Sequence, residues 1–205
     1  IRHVIYIIKE NRSYDEVLGD EKMGDGDPSL VWFGRRNTPN QHALVERFGL
    51  LDRAFVDSLV SADGHNWTDA AFSGDYVERF WPENYGGRRE KYDFQSARAP
   101  ERPHNGYLWD AAERAGVTFR DYGEDTGDTA DESDDPGFEQ GFFKDLIGYT
   151  DPAYRTWDLK YSDMLRFAAW EHEFRRYVAD GNMPALEIVY FPNDHTAGTS
   201  PGFLT

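Results

Sequence analysis

Three short polar clusters carry the groups in this chain best suited to chemistry: Glu10-Asn11, Ser61-Ala62-Asp63-Gly64-His65-Asn66, and the run from Asn193 to Thr199. Glu10 and Asn11 offer hard oxygen donors of the kind divalent cations take. Ser61 offers a hydroxyl whose pKa a bound cation can lower enough to make it a nucleophile. His65 and His195 can move protons or bind a metal, and Asp194 adds a carboxylate. Taken singly, each cluster has the ordinary composition of a turn. Their position gives them weight, because each follows directly on an apolar run.

Those runs predict the elements that position the clusters. Residues 3–8 read as a buried strand that stops at Lys9-Glu10-Asn11, and 50–60, 117–122 and 185–191 read as further strands. Thr38-Pro39 opens a helix over 40–48 that Gly49 closes. A turn is expected over 61–67, with a helical pattern resuming over 68–80. Asn105 caps a helix over 106–115 that stops at Gly116. Ser162 caps a long helix ending near Gly181, with Leu165, Ala168, Ala169, His172 and Tyr177 on one face and His172 as a packing residue. Helix and strand alternate, which predicts an α/β fold, doubly wound, with one mostly parallel sheet and helices on both faces. In such sheets ligands bind outside the C-terminal ends of the strands. The expectation is that Glu10, Asn11, Ser61 and Asp194 converge there, with Ser61 on a strand-to-helix turn whose backbone N–H groups can receive an oxyanion.

Composition narrows the chemistry. The 38 acidic and 22 basic residues leave a net charge of −16, which repels nucleic acid and anionic membranes. A phosphate substrate would need a local cation, and a metal ion is the obvious source. The chain has no cysteine, so thiolate nucleophiles and Cys-type zinc sites are excluded. Aromatic residues make up 16% of its 205 residues, enough buriable surface for a folded domain, and no apolar run approaches a membrane span. No repeat or linker divides the chain, so a single domain over 1–205 is expected.

The inventory suits phosphoryl transfer better than acyl transfer, and at this point the motifs become specific. His3-Val4-Ile5-Tyr6-Ile7-Ile8-Lys9-Glu10-Asn11-Arg12-Ser13-Tyr14-Asp15, Thr38-Pro39-Asn40, Ser61-Ala62-Asp63-Gly64-His65-Asn66-Trp67 and Pro192-Asn193-Asp194-His195-Thr196-Ala197-Gly198-Thr199 resemble the bacterial phosphoesterase family. That family contains phospholipases C and acid phosphatases and belongs to the alkaline phosphatase superfamily. The resemblance covers nearly the whole chain, with the four motifs in order. It implies an alkaline-phosphatase-like fold and metal-dependent hydrolysis of small-molecule or lipid phosphate esters through a phosphoenzyme on Ser or Thr. It also implies a secreted or periplasmic location.

By the same resemblance Glu10, Asn11, Ser61 and Asp194 would hold a divalent metal ion and Ser61 would be the nucleophile, with Thr68 its nearest rival. His65 and His195 would lie around the metal or the phosphate. One departure stands out: the superfamily completes its metal site with an Asp-Asp or Asp-His pair from a later strand end, and none follows Asp194 here. Asp134-Asp135 precedes it. The expectation is therefore a domain truncated at its C-terminus with weak or absent hydrolysis. The alternative is a catalytically silent binding module, and a third possibility is a serine esterase using Ser61, His195 and an Asp.

The remaining candidates have plainer readings. The stretch 123–137 holds seven acidic residues beginning with Glu124 and reads as a solvated acidic loop. His42 reads as structural or exposed, and His3 and His104 as incidental. Asn11-Arg12-Ser13 and Asn66-Trp67-Thr68 match the glycosylation pattern, but a sugar there would occlude the crevice. The segment 81–89, rich in aromatics and ending in Arg88-Arg89, reads as a loop that either holds substrate or simply covers the surface.

Overall fold

A computed structural model describes residues 1–88, 100–124, 146–198 and 200–203. Among them are strands β1 (Val4–Ile8), β2 (Phe119–Tyr122) and β3 (Leu186–Tyr190). The helices are α1 (Tyr14–Leu18), α2 (Pro39–Phe48), α3 (Ser61–Ala70), α4 (Asp75–Tyr85), α5 (Leu108–Arg114) and α6 (Asp163–Asp180). Short 3-10 turns occupy Pro28–Leu30 and Pro192–His195. The chain divides into two compact units, one of Ile1–Lys9 with Asp57–Thr205 and the other of Glu10–Val56.

In the larger unit the sheet order is β1-β3-β2 and both pairings are parallel, so all three strands end on one edge. Ile8 sits beside Tyr190, and Tyr122 beside Val189. The central strand, Leu-Glu-Ile-Val-Tyr, is buried along its whole length, as a strand covered on both faces must be. Leu186 and Ile188 pack with Phe119, Tyr107, Trp109 and Ala112, the last two from α5. Val189 faces the other way, with Tyr122 and Tyr154, against Ala169 and Trp170 of α6. Burying a side chain such as Ile188 stabilises the fold by about 1.5–3 kcal/mol. This is an open, three-stranded parallel sheet with helices, a mixed α/β arrangement.

Several expectations need correction. Among the described residues β1 is an edge strand, paired with β3 alone, and Val4, Ile5 and Ile7 are exposed where its apolar composition predicts burial. Residues 50–60 form no strand, and Leu51, Phe55, Val56 and Leu59 are exposed. β-propensity counts only where a neighbouring strand is present to pack against. The turn expected at 61–67 is the body of α3, whose start the buried Asp63 fixes by accepting hydrogen bonds from the N–H groups of Leu59 (3.2 Å) and Val60 (3.1 Å). The helical pattern over 68–80 is two helices, broken where Ala71 takes a left-handed φ of 51°.

Residues 81–85 are the last turn of α4 instead of a loop. α5 begins at Leu108, with Asp110 accepting from the Tyr107 N–H at 2.7 Å, so Asn105 is not its cap. Helix α6 starts and stops as its sequence indicates, with Ser162 at its N-cap and Gly181 at its C-cap, but it turns a different face inward. Arg166 and Glu173 are buried on it while Leu165 and His172 are exposed. Polar partners account for the difference. The Arg166 guanidinium donates to four backbone carbonyls and to Asp163, and Glu173 accepts from Arg120 and Tyr122.

The smaller unit is held mainly by polar contacts. Ser13 and Glu16 form a reciprocal capping box at the start of α1. Arg35 bridges Glu21 (2.7 Å) and Glu46 (2.6 Å). His42, fully buried, sets Nε2 on Asp20 Oδ1 at 2.8 Å and Nδ1 on the Thr38 carbonyl at 2.7 Å, which makes it a structural residue. No helix among the described residues is long and apolar enough to cross a membrane.

Candidate functional site

Helix α3 organises the site. Residues four apart on a helix share a face, so Ser61, His65 and Asp69 form one row, with Thr68 beside Asp69. The other polar residues of the segment hold the helix in place. Asp63 caps it, and Asn66, buried, accepts a hydrogen bond from the Tyr107 hydroxyl at 3.0 Å. Ser61 is the first helical residue and half-buried, with Val60 as the N-cap.

The row meets the C-terminal end of β2. Gly123, at φ 92°, turns the chain there, and a Cβ on it would lie 2.9 Å from the Tyr154 ring. Only glycine suits both the left-handed backbone and the close ring. The turn delivers Glu124, 1% exposed, into hydrogen-bonded contact between its Oε1 and Nδ1 of His65. Asp69 lies one turn further along α3 and is 2% exposed. One ligand-type atom from each of His65, Asp69 and Glu124 can be chosen so that all three lie within 4.8 Å of one another. Tyr6 of β1 senses the same charges. Burial pushes its phenol pKa up, and the carboxylates of Asp69 and Glu124 push it further, against the opposing effects of a Thr68 hydrogen bond and His65.

The end of β3 borders this cluster. Tyr190 meets the His65 ring edge-on at 5.6 Å and stacks with Trp157 at 6.3 Å, and Trp157 in turn meets His195 edge-on at 4.8 Å. His195 thus lies across an aromatic pair from His65, with its Nδ1 2.9 Å from the Thr196 carbonyl. Asp194 pairs with Lys9, just past β1, at 3.0 Å. Asn193 is structural: its side-chain oxygen accepts from the Asp163 N–H at 2.7 Å, and its own N–H donates to the Asp163 carboxylate at 3.1 Å, clasping the start of α6.

Of the residues singled out in the sequence, the structure joins His65 to a carboxylate cluster and places Ser61 on the same helical face. His195 and Asp194 fall on the same edge of the sheet as that cluster. Glu10, half-buried, and Asn11, exposed, belong to the Glu10–Val56 unit. Thr68 is engaged by Tyr6. His3 holds the Pro184 carbonyl, and His104 is exposed with its ring edge-on to Phe72. Two members of the cluster, Asp69 and Glu124, were not anticipated. Asp69 stands out only once 61–67 is known to be helix, since the His65 spacing of four then has meaning. The acidic composition of 123–137 predicts a solvated Glu124, yet Glu124 is buried; the remainder of that loop, 125–137, lies outside the described residues.

No protein-family model matches the chain, and neither a curated protein nor a solved structure is significantly similar to it.

Proposed function

We propose that the chain is a metal-dependent hydrolase of phosphate esters, acting through a phosphoenzyme on Ser61 and built on part of a doubly wound, alkaline-phosphatase-like sheet. The observation that carries this reading is the row Ser61, His65, Asp69 on α3, set against the C-terminal edge of a parallel sheet where Glu124 meets His65. Ser61 leads a helix, so the N–H groups of the first turn can take the phosphoryl oxygens while its hydroxyl attacks phosphorus. His65, in contact with Glu124, stands one helical turn from Ser61, so an ion held beside them would sit near the attacking hydroxyl and ease loss of its proton to solvent. The Trp157–Tyr190 pair offers an apolar wall for the ester's leaving group. A divalent ion, when bound, offsets phosphoryl charge and lowers the pKa of a nearby hydroxyl.

Release of p-nitrophenol from its phosphate monoester and bis-diester, with and without added divalent cations, tests the proposal. Ser61→Ala should reduce turnover by at least ~100-fold with unchanged circular dichroism. Near-normal turnover would move the role to Thr68. Glu10→Ala checks the ligand set that the phosphoesterase resemblance implies, and full activity in that variant would remove Glu10 from it. Turnover of an acyl ester that ignores chelators would instead make the His65–Glu124 pair a general base for a metal-free esterase.

A further inference from the structure

We infer that His65, Asp69 and Glu124 form a binding site for one divalent transition-metal ion of the zinc or manganese type, a ligand set different from the Glu10, Asn11, Ser61 and Asp194 group expected from the sequence motifs. The inference rests on the hydrolase reading only for the use made of the ion. Three observations support the site itself.

The first is geometry. The three donor atoms lie within 4.8 Å of one another. Zinc bonds of about 2.0–2.2 Å put the ligand atoms of a tetrahedral shell roughly 3.3–3.6 Å apart, so side-chain rotations that close the widest separation by up to ~1.5 Å and open the His65–Glu124 contact would complete the shell. His65 and Asp69 stand one turn apart on α3, and Glu124 follows β2 directly, so two of the ligands share a rigid helix.

The second is charge. Glu124 is 1% exposed, and among the described residues its Oε2 has no hydrogen-bond partner, while its only ionic partner is His65. A carboxylate that deep is costly unless a cation reaches it. Two carboxylates and one neutral imidazole balance a dication. The third is donor chemistry. One imidazole nitrogen with two carboxylates matches the three-ligand pattern of catalytic zinc sites, which leave a position open for water or substrate. Calcium, by contrast, takes six to eight oxygens.

The test is metal binding by the folded chain, independent of turnover. After dialysis against chelator, titration calorimetry with Zn2+ and Mn2+ should give about one ion per chain, with Ca2+ and Mg2+ binding at least ~10-fold more weakly. Co2+ should give visible bands of a nitrogen-ligated, low-symmetry site. Asp69→Asn and Glu124→Gln should each weaken Zn2+ binding by at least ~10-fold, with the fold checked by circular dichroism. If either variant fails to fold, the histidine ring signals of the unaltered protein decide: Zn2+ should move those of His65 first among its six histidines.

Unchanged Zn2+ affinity in folded Glu124→Gln, or a folded chain that binds no ion, overturns the inference. One ion bound at His65 without release from any phosphate ester overturns the hydrolase reading and leaves this site standing. Metal-dependent phosphate release that survives Glu124→Gln keeps the hydrolase and removes the site.

Discussion

Two histidines in this chain each meet a carboxylate, and the two regions around them are built to different ends. In the Glu10–Val56 unit, His42 spends Nε2 on Asp20 and Nδ1 on the Thr38 carbonyl, while the buried Glu21 takes Arg35. In the larger unit, His65 meets Glu124, but the second oxygen of Glu124 has no partner among the described residues, and a second buried carboxylate, Asp69, lies within 4.8 Å. Saturated buried groups hold a fold together; a buried carboxylate oxygen left over marks a place where a ligand would be welcome. The sign of a mutational effect therefore separates the two regions better than its size.

The largest stability effect should come from the saturated pair. His42→Ala removes a fully buried ring and leaves Asp20 and Thr38 without their partner. It should cost about 2–4 kcal/mol, from lost packing and stranded polar groups together. Urea denaturation followed by tryptophan fluorescence reads this directly. A loss below about 1 kcal/mol would show that the His42 contacts do not set the stability of their unit and would break the comparison.

The opposite sign is expected at Glu124. Without metal, Glu124→Gln keeps an oxygen and a nitrogen in place but removes a charge from a site almost closed to water. It should leave stability unchanged or raise it by roughly 1 kcal/mol, the range in which natural functional sites trade stability for activity. The same denaturation measurement, in the presence of chelator, checks it. A loss of more than about 2 kcal/mol would mean that Glu124 is a structural residue like Asp20, and the metal site would lose its physical motive.

How much of this was readable beforehand depends on whether the signal was local. Strands β2 and β3, helix α2 with Thr38-Pro39 and Gly49, and helix α6 with Ser162 and Gly181 follow from caps and apolar runs, which act within a few residues. The strand expected over 50–60 failed because its partner had to come from elsewhere in the chain, and none pairs with it. The start of α3 was hidden because Ser-Ala-Asp-Gly-His-Asn has poor helix propensity. It is held by the buried Asp63 carboxylate and by Tyr107, which is 41 residues away from the Asn66 it binds. The site was half legible for the same reason. His65 and Ser61 stand together in one short polar run of the sequence, whereas Glu124 gains its meaning only from packing that buries it against α3.

The smallest effect, and the one that tests the contrast without disturbing packing much, is the pH dependence of the His42–Asp20 pair. Burial alone would lower the His42 pKa, but its hydrogen bond to Asp20, the Thr38 carbonyl and the nearby carboxylates outweigh burial, so the folded value lies above the usual one. A histidine with a raised folded pKa contributes stability that is full below its unfolded value near ~6.5 and is lost as pH rises through the folded value. Asp20 runs the other way. The hydrogen bond from His42 holds its pKa down, so its contribution is present above the unfolded value near ~3.9 and is lost as pH falls through the depressed one. Together they define a plateau between roughly pH 4 and 6.5 with a decline on each side. The measurement is the difference in unfolding free energy between the natural chain and His42→Gln at half-unit steps from pH 5 to 9. Subtracting the variant cancels the other titrating groups, to the extent that they do not couple to position 42. The difference should shrink as pH rises through neutrality, by less than the full cost of His42→Ala because the neutral ring still packs. A difference that stays flat would mean that folding leaves the histidine's affinity for its proton unchanged, and one that grows would mean that burial dominates and keeps the folded ring neutral; either would remove the charged pair from the structural side of the comparison.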